Sequence, residues 1–375
     1  MNFDLTPEQQ LIQDSVARFV NEHYSLEQRQ KTIRSKTGFS AEHWATMGDL
    51  GWRGLVLPED LGGFGGNQLD TMLVMEQFGK GMVVEPLLPS SVIAGGAIAR
   101  SDNTHLQSTY LPLALAGDQH LAFAWAEPQG RFDLFNISTT ARLQDGHYVL
   151  NGHKSMVTNG ATAAAWVVSA RVAGEQMDDK GIVLLVVEQD TPGINIQGFA
   201  TVDGGQAAEL TFDNVHVSAD NLLCDTETAA AHLQQAAVDG LLAYSAEAIG
   251  MMEVLYKDTA SYTSEREQFD HPLAQFQVVQ HRLVDMFMEY EQCKSLLYRA
   301  TLETVQSGLE ALPTVHALKY MIGKHGIFIA ENAVQLHGGM GMTEELNIGH
   351  FLKRMLAIDA AFGNADYHLS KFADI

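Results

Sequence analysis

Apolar positions change their period twice along this chain. Near the start, Leu11, Ile12, Val16, Phe19 and Val20 recur at helical spacing, the stripe of an amphipathic helix. Thr6-Pro-Glu-Gln9 supplies its beginning: Thr6 caps, Gln9 closes a capping box, and Pro7 stands where no helical N–H is lost. Ser40 caps a second helix running to Met47, and Pro58-Glu-Asp-Leu-Gly-Gly-Phe-Gly-Gly66 breaks into a loop before a helical stretch from Leu69 to Phe78. Met72, Met75 and Met82 read as core packing. From Leu121 the pattern becomes that of strands. His147–Gly152, Ala165–Arg171, Gly181–Val187 and Ala208–Phe212 are short, rich in β-branched and aromatic residues, and divided by Gly, Asp and Asn turns. After Thr226 the helical period returns over Ala229–Thr263, Phe276–Gly308 and Pro313–His337. The expected class is α+β: an N-terminal all-α domain over 1–118, a middle β-barrel-like domain over 119–225, and a C-terminal four-helix bundle over 226–375.

Charge narrows the partners. Acidic residues outnumber basic ones 46 to 23, a net charge of -23, so the overall field repels nucleic acid and anionic membrane surfaces. No apolar run reaches the ~18 residues that span a bilayer. An anionic ligand would need a local cluster of donors, which makes each well-placed arginine informative. Cys224 and Cys293 lie far apart and carry no metal-ligand spacing, and Met1–Leu5 has neither a basic region nor an apolar core; a reducing, cytoplasmic location without a signal peptide is expected. The fifteen histidines are not spaced as ligands, and no metal is expected.

The stretch with the most distinctive chemistry is Gln335-Leu-His-Gly-Gly-Met-Gly-Met342, three glycines in four positions between helical segments. Such a turn leaves N–H groups uncovered and can lie flat against a diphosphate or a ring. Upstream stand Arg266-Glu-Gln-Phe269, Gln277-Val-Val-Gln-His-Arg282, Glu127-Pro128 and Lys154-Ser-Met-Val-Thr-Asn-Gly160. In that order these resemble the flavin-binding landmarks of the acyl-CoA dehydrogenase family, and the resemblance runs from Phe3 to about Leu369. It implies FAD as cofactor, α,β-desaturation of an acyl-CoA thioester, electrons passed to an electron-transfer flavoprotein, and a homotetramer or an α2β2 heterotetramer with a homologous subunit. It also implies a division of labour across a subunit interface. Arg266, Phe269, Gln277, Gln335, Gly338 and Gly339 match the positions lent to a neighbour's dinucleotide, a guanidinium fork suiting the diphosphate. His337, within the turn, is expected to orient backbone groups or to meet the phosphate side.

The ring-holding positions are altered. Ala126 stands where the family has a hydroxyl, Met156 where it has tryptophan, and Phe132 where it has serine; Thr158 is kept and offers a hydroxyl to the ring's edge. Both positions at which the family places its catalytic glutamate are glycine, Gly363 and Gly240. Glu247, two helical turns beyond Gly240 in an apolar run, is the candidate catalytic base, read either as a functional acid or as a buried residue paired with a partner; Asp239 and Asp366 are weaker candidates. The Phe-Gly-Asn-Ala-Asp ending and altered cradle look closest to the small subunit of pimeloyl-CoA dehydrogenase. Two alternatives stand beside an active dehydrogenase: a non-catalytic subunit completing a homologue's flavin site, and a flavin monooxygenase or nitroalkane-oxidase-like enzyme on the same fold.

Overall fold

A computed structural model describes residues 5–117 and 119–374; the reading of Met1–Asp4 falls outside them. The helices are α1 (Pro7–His23), α2 (Leu26–Ile33), α3 (Ala41–Asp49), α4 (Gln68–Gly81), α5 (Gly96–Ala99), α6 (Thr104–Ala116), α7 (Ala229–Glu265), α8 (Gln277–Ser307), α9 (Leu312–His337), α10 (Asn347–Ala360) and α11 (Ala365–Ala373). The strands are β1 (Leu121–Ala124), β2 (Thr140–Gln144), β3 (His147–Thr158), β4 (Ala165–Arg171), β5 (Ile182–Glu188), β6 (Ile194–Ala200), β7 (Gln206–Ser218) and β8 (Leu222–Cys224), with a small hairpin of β9 (Glu267–Gln268) and β10 (His271–Pro272). The chain is therefore helical, then β, then helical, as its periods predict. The packed units draw on these segments differently: one holds residues 5–32, 68–83 and 241–374, the other 33–67 and the described part of 84–240.

In the first unit the capping box forms as expected. Thr6 Oγ1 accepts from Gln9 N at 3.2 Å and Gln9 Oε1 from Thr6 N at 3.1 Å. Met72 and Met75 are buried on α4, with Met82 just beyond it. The α4–α7 crossing is set by reciprocal glycines: a Cβ at Gly79 would lie 1.9 Å from Glu247 O, and one at Gly250 1.9 Å from Glu76 O. Without side chains at these points the two backbones touch, and Glu247 sits at the contact. The last domain is helical, with α7, α8 and α9 long and α10 and α11 taking the remaining length.

In the second unit the strands run β6-β7-β3-β2-β4-β5-β8 in one sheet, with β1 parallel to β4. Every residue of β4 is buried, and its two polar members are spent inside, Ser169 on Lys154 and Arg171 on backbone carbonyls. Trp166 fills the core, its indole N–H bonded to Gly160 O at 2.9 Å. Along β3 the register to β7 shifts between Lys154 and Val157, and the extra residue Met156 takes φ 52°, a β-bulge that turns its side chain outward. Ser40 caps α3 as expected, Oγ accepting from His43 N at 3.2 Å. The sequence did not foretell the π-helix Leu87–Gly95, buried throughout, since a short apolar run carries no period of its own.

Candidate functional site

The segments carrying Arg266, Phe269, Gln277, Gln335 and the glycine turn lie at one end of the helical unit. Tyr262, in the last turn of α7, stacks on His337, the last residue of α9, with ring centroids 4.3 Å apart. Arg282, near the start of α8, donates to Asn332 Oδ1 of α9 at 2.6 Å. The hairpin after α7, the start of α8 and the glycine turn Gly338–Met342 after α9 are thereby gathered. His337 itself is buried, its Nδ1 bonded to Ala333 O within α9 at 2.8 Å.

This end presents groups that are unsatisfied among the described residues. Arg266 is exposed, and among the described residues its guanidinium has no hydrogen-bond or ion-pair partner. The neighbouring acid Glu265 instead accepts from Ser261 at 3.2 Å. Gln277 and Gln335 are exposed, their amides unpaired among the described residues. Phe269 and Asp270 form the two-residue turn of the β9–β10 hairpin at φ 56° and 65°, the left-handed pair of a type I′ turn. A phenyl ring is costly there, yet Phe269 is 85% exposed. Gly338 and Gly339 have nothing within 4 Å of an added Cβ, so a flat ligand meets bare backbone. An unpaired guanidinium, two amides, an uncovered ring and a glycine turn are the donor set that an anionic dinucleotide requires.

The second unit holds the other sequence-selected positions on a pinned scaffold. Lys154 is fully buried, its Nζ 2.7 Å from Glu127 Oε1, 2.9 Å from Ser169 Oγ and 3.2 Å from Trp125 O. Glu127 also accepts from Ser138 N at 2.7 Å, Gln129 Nε2 at 2.7 Å and Thr139 N at 3.1 Å. Burial raises the Glu127 carboxyl, but Lys154 and the Ser138 and Gln129 donors outweigh it and hold the group at about 2. Burial pushes the Lys154 ammonium down to about 8 against the pull of Glu127. The two shifts are compatible, because the carboxylate is ringed by neutral donors while the ammonium has fewer acceptors. Arg171 anchors the same loop by donating to Phe135 O, Ile137 O and four further carbonyls. Ala126 is tied to the bulge through Ser155 N to Ala126 O at 2.9 Å. Thr158 is exposed at the end of β3 with its hydroxyl unpartnered among the described residues.

The candidate base has a partner. Glu247 Oε1 and Oε2 accept from Arg354 Nε at 2.6 Å and Nη2 at 2.7 Å, with the glutamate side chain 2% and the arginine 21% exposed. The Arg354 guanidinium lies 5.6 Å over the Tyr244 ring, which packs at 6.4 Å against Phe362. Of the two readings open to a carboxylate in an apolar run, the geometry shows the paired one. Gly363 is in the left-handed region at φ 117°, and a Cβ there would lie 2.5 Å from Tyr367 and 2.8 Å from His368. Asp239 is ion-paired with Arg100 at 2.9 Å, and Asp366 lies in the first turn of α11. Sequence reasoning missed Arg354. Its signal was an arginine in α10 among the buried Phe351, Met355 and Ile358.

Family models for the acyl-CoA dehydrogenase N-terminal, middle and C-terminal domains match residues 6–118, 122–215 and 231–374. The chain belongs to the acyl-CoA dehydrogenase family. A probable acyl-CoA dehydrogenase, YngJ, of Bacillus subtilis is 27% identical over 98% of this chain and 97% of its own. Among solved structures, PigA with FAD and proline superposes with a TM-score of 0.92 at 26% identity, covering 100% of this chain and 98% of that one. The ChsE4-ChsE5 complex from Mycobacterium tuberculosis gives 0.91 at 25% identity over 100% and 98%. No helix among the described residues is long and apolar enough to cross a membrane.

Proposed function

We propose that this chain is an FAD-dependent acyl-CoA dehydrogenase subunit that desaturates an acyl-CoA thioester together with a homologous subunit, in the manner of the pimeloyl-CoA dehydrogenase small subunit, and passes electrons to an electron-transfer flavoprotein. One observation carries this reading. The groups suited to a dinucleotide, Arg266, Phe269, Gln277, Gln335, Gly338 and Gly339, are exposed and unsatisfied among the described residues, whereas the carboxylate available for proton abstraction, Glu247, is closed in a bidentate ion pair. FAD when bound supplies the hydride acceptor. The chain's own part is to hold the dinucleotide end of the homologue's flavin: Arg266 takes the diphosphate charge, the Gly338–Gly339 backbone its remaining oxygens, and Phe269 and the glutamines the adenine side. Removing a thioester's α-proton needs an unpaired carboxylate in a water-poor pocket, which a homologous subunit contributes.

Native mass spectrometry tests this directly. Expected is an α2β2 assembly with two FAD when the chain is purified with its homologue. A homotetramer of the isolated chain with one FAD per protomer, reduced anaerobically by acyl-CoA, would overturn it. Arg266→Ala is expected to speed FAD loss on dialysis roughly ten- to a hundredfold with the fold intact, since a charge-assisted contact contributes about 1.5–3 kcal/mol. Flavin content unchanged after dialysis would count against Arg266.

The second reading makes Glu247 the base in a homotetramer. The observation in its favour is that Arg354 is partly exposed, so the pair has a route to open. Under this reading Glu247→Gln keeps FAD and acyl-CoA binding and loses substrate-driven flavin reduction, a drop of more than a hundredfold. Under the first reading, the same variant leaves reduction by the heteromer within a fewfold of wild type.

A further inference from the structure

Helices α9, α10 and α11 enclose a group of buried donors that none of these roles uses. Lys319 is fully buried, and its Nζ lies 2.7 Å from Asp359 O and 2.6 Å from Gly363 O. Among the described residues it has no carboxylate partner; Asp359 spends Oδ1 on Ala365 N at 3.0 Å. A Cβ at Gly323 would fall 2.1 Å from that same Oδ1, so glycine on α9 is what lets α10 approach this closely. His368, 1% exposed, places Nε2 3.1 Å from Phe362 O and Nδ1 2.8 Å from His316 Nδ1.

These distances determine where the protons are. A carbonyl only accepts, so His368 Nε2 carries a hydrogen. With the ring neutral, its Nδ1 is then a lone pair and His316 must donate through its own Nδ1. The order is His316 to His368 to Phe362 O. It requires a neutral His368, and burial, then the charge of Lys319 and then His316, push that imidazole down to about 3, with Lys371 adding to the effect. Burial lowers Lys319 to about 8 against the pull of Asp359, which leaves it charged at neutral pH.

All three carbonyls belong to the end of α10 and the turn after it, where backbone oxygens lack helical partners and a cation is favoured. The turn is unusual in carrying two consecutive left-handed residues, Phe362 at φ 55° and Gly363 at φ 117°. We propose that Lys319, His316 and His368 are positioning residues that lock the Asp359–Asn364 turn in this form, keeping Phe362 on Tyr244 and so backing the ring over which Arg354 holds Glu247. They hold the very turn whose glycine stands where relatives carry a base, and His368, with Tyr367 beside it, closes that position to a side chain. The last link, to Glu247, rests on the function proposed above; the lock itself does not.

The test uses the full chain. Lys319→Met keeps an unbranched chain of similar length and removes both donated bonds. Amide exchange over residues 361–366, read by mass spectrometry, is expected to quicken at least tenfold while the β3–β7 peptides stay unchanged. His316→Phe should quicken the same segment by a smaller factor and His368→Asn, which keeps a donor for Phe362 O, by less than His368→Phe. Nitrogen-15 spectra of labelled histidines should show His368 as the Nε2–H tautomer and His316 as the Nδ1–H tautomer. Unchanged exchange in both Lys319→Met and His316→Phe, or the same tautomer for both histidines, would overturn the proposal. Should Lys319→Met not fold, His316→Phe and the tautomers decide it alone. Neither readout depends on turnover or on subunit composition, so their failure is distinct from failure of the shared-flavin reading.

Discussion

Gly363→Ala is expected to destabilise the protein by about 2–6 kcal/mol, although it adds only one methyl group. Two costs combine. A residue with a Cβ held at φ 117° bears strain of about 1–3 kcal/mol, and the methyl would press on Tyr367 and His368 at 2.5 and 2.8 Å, an overpacking cost of about 1–3 kcal/mol more. Gly363→Glu, the change that restores the family's glutamate on paper, is expected to do worse: loss of the α10–α11 turn and no gain of acyl-CoA-driven flavin reduction. Thermal unfolding of both variants, with anaerobic acyl-CoA titration of the glutamate variant, checks this. A Gly363→Glu protein as stable as wild type and newly active would refute the packing argument. Gly339→Ala is the contrast. Open space surrounds that glycine, so stability is expected to change little.

Glu127→Ala is expected to cost about 3–5 kcal/mol, because it strands a fully buried ammonium at Lys154 and leaves Ser138 N and Thr139 N without their acceptor. Glu127→Leu with Lys154→Met should recover part of the loss, though not the part owed to those two backbone donors. Urea unfolding followed at Trp166 in the sheet core reports it, and a loss below 1 kcal/mol would show the pair to be dispensable. The acid limb carries the same signature. His368 is neutral in the fold with its pKa lowered to about 3 from an unfolded value near 6.5, so its contribution falls as pH drops below about 6.5. Glu127, held at about 2, adds a second loss as pH falls below about 4.5. Each steepens the pH dependence of stability by about 1.4 kcal/mol per pH unit over its window. In Glu127→Gln the lower of the two losses should disappear while the upper remains.

Much of the donor set was legible along the chain because it consists of residues whose chemistry is local. The Gly338–Gly339 turn stands out by type and spacing, and Arg266, Gln277 and Gln335 by their match to the family's dinucleotide positions; each lies exposed near an element's end, where no packing alters its meaning. Phe269 required more. Its exposure follows from a two-residue turn with both φ positive, which the intervening Phe-Asp pair does not announce as Asn-Gly would. Glu247 shows the opposite limit: an acid in an apolar run signals that something compensates it, but the compensating Arg354 is 107 residues away in sequence.

Periodicity and end signals determined the order of the chain by themselves. The Thr6 and Ser40 caps, the strand-length apolar runs after Leu121 and the long helical stripes after Thr226 are set by contacts within a few residues, so they can be read without a fold. The tertiary structure alone decided which polar groups are spent and which are free. Lys319 looks like a surface residue of α9 until α10 brings the carbonyls of Asp359 and Gly363 onto it; Glu127 and Lys154 become a buried pair only when β3 is paired in its sheet. Gly363 reads as a lost side chain in the sequence and as a closed position in the fold, because the atoms that exclude a Cβ belong to α11, placed by the turn that the glycine itself permits.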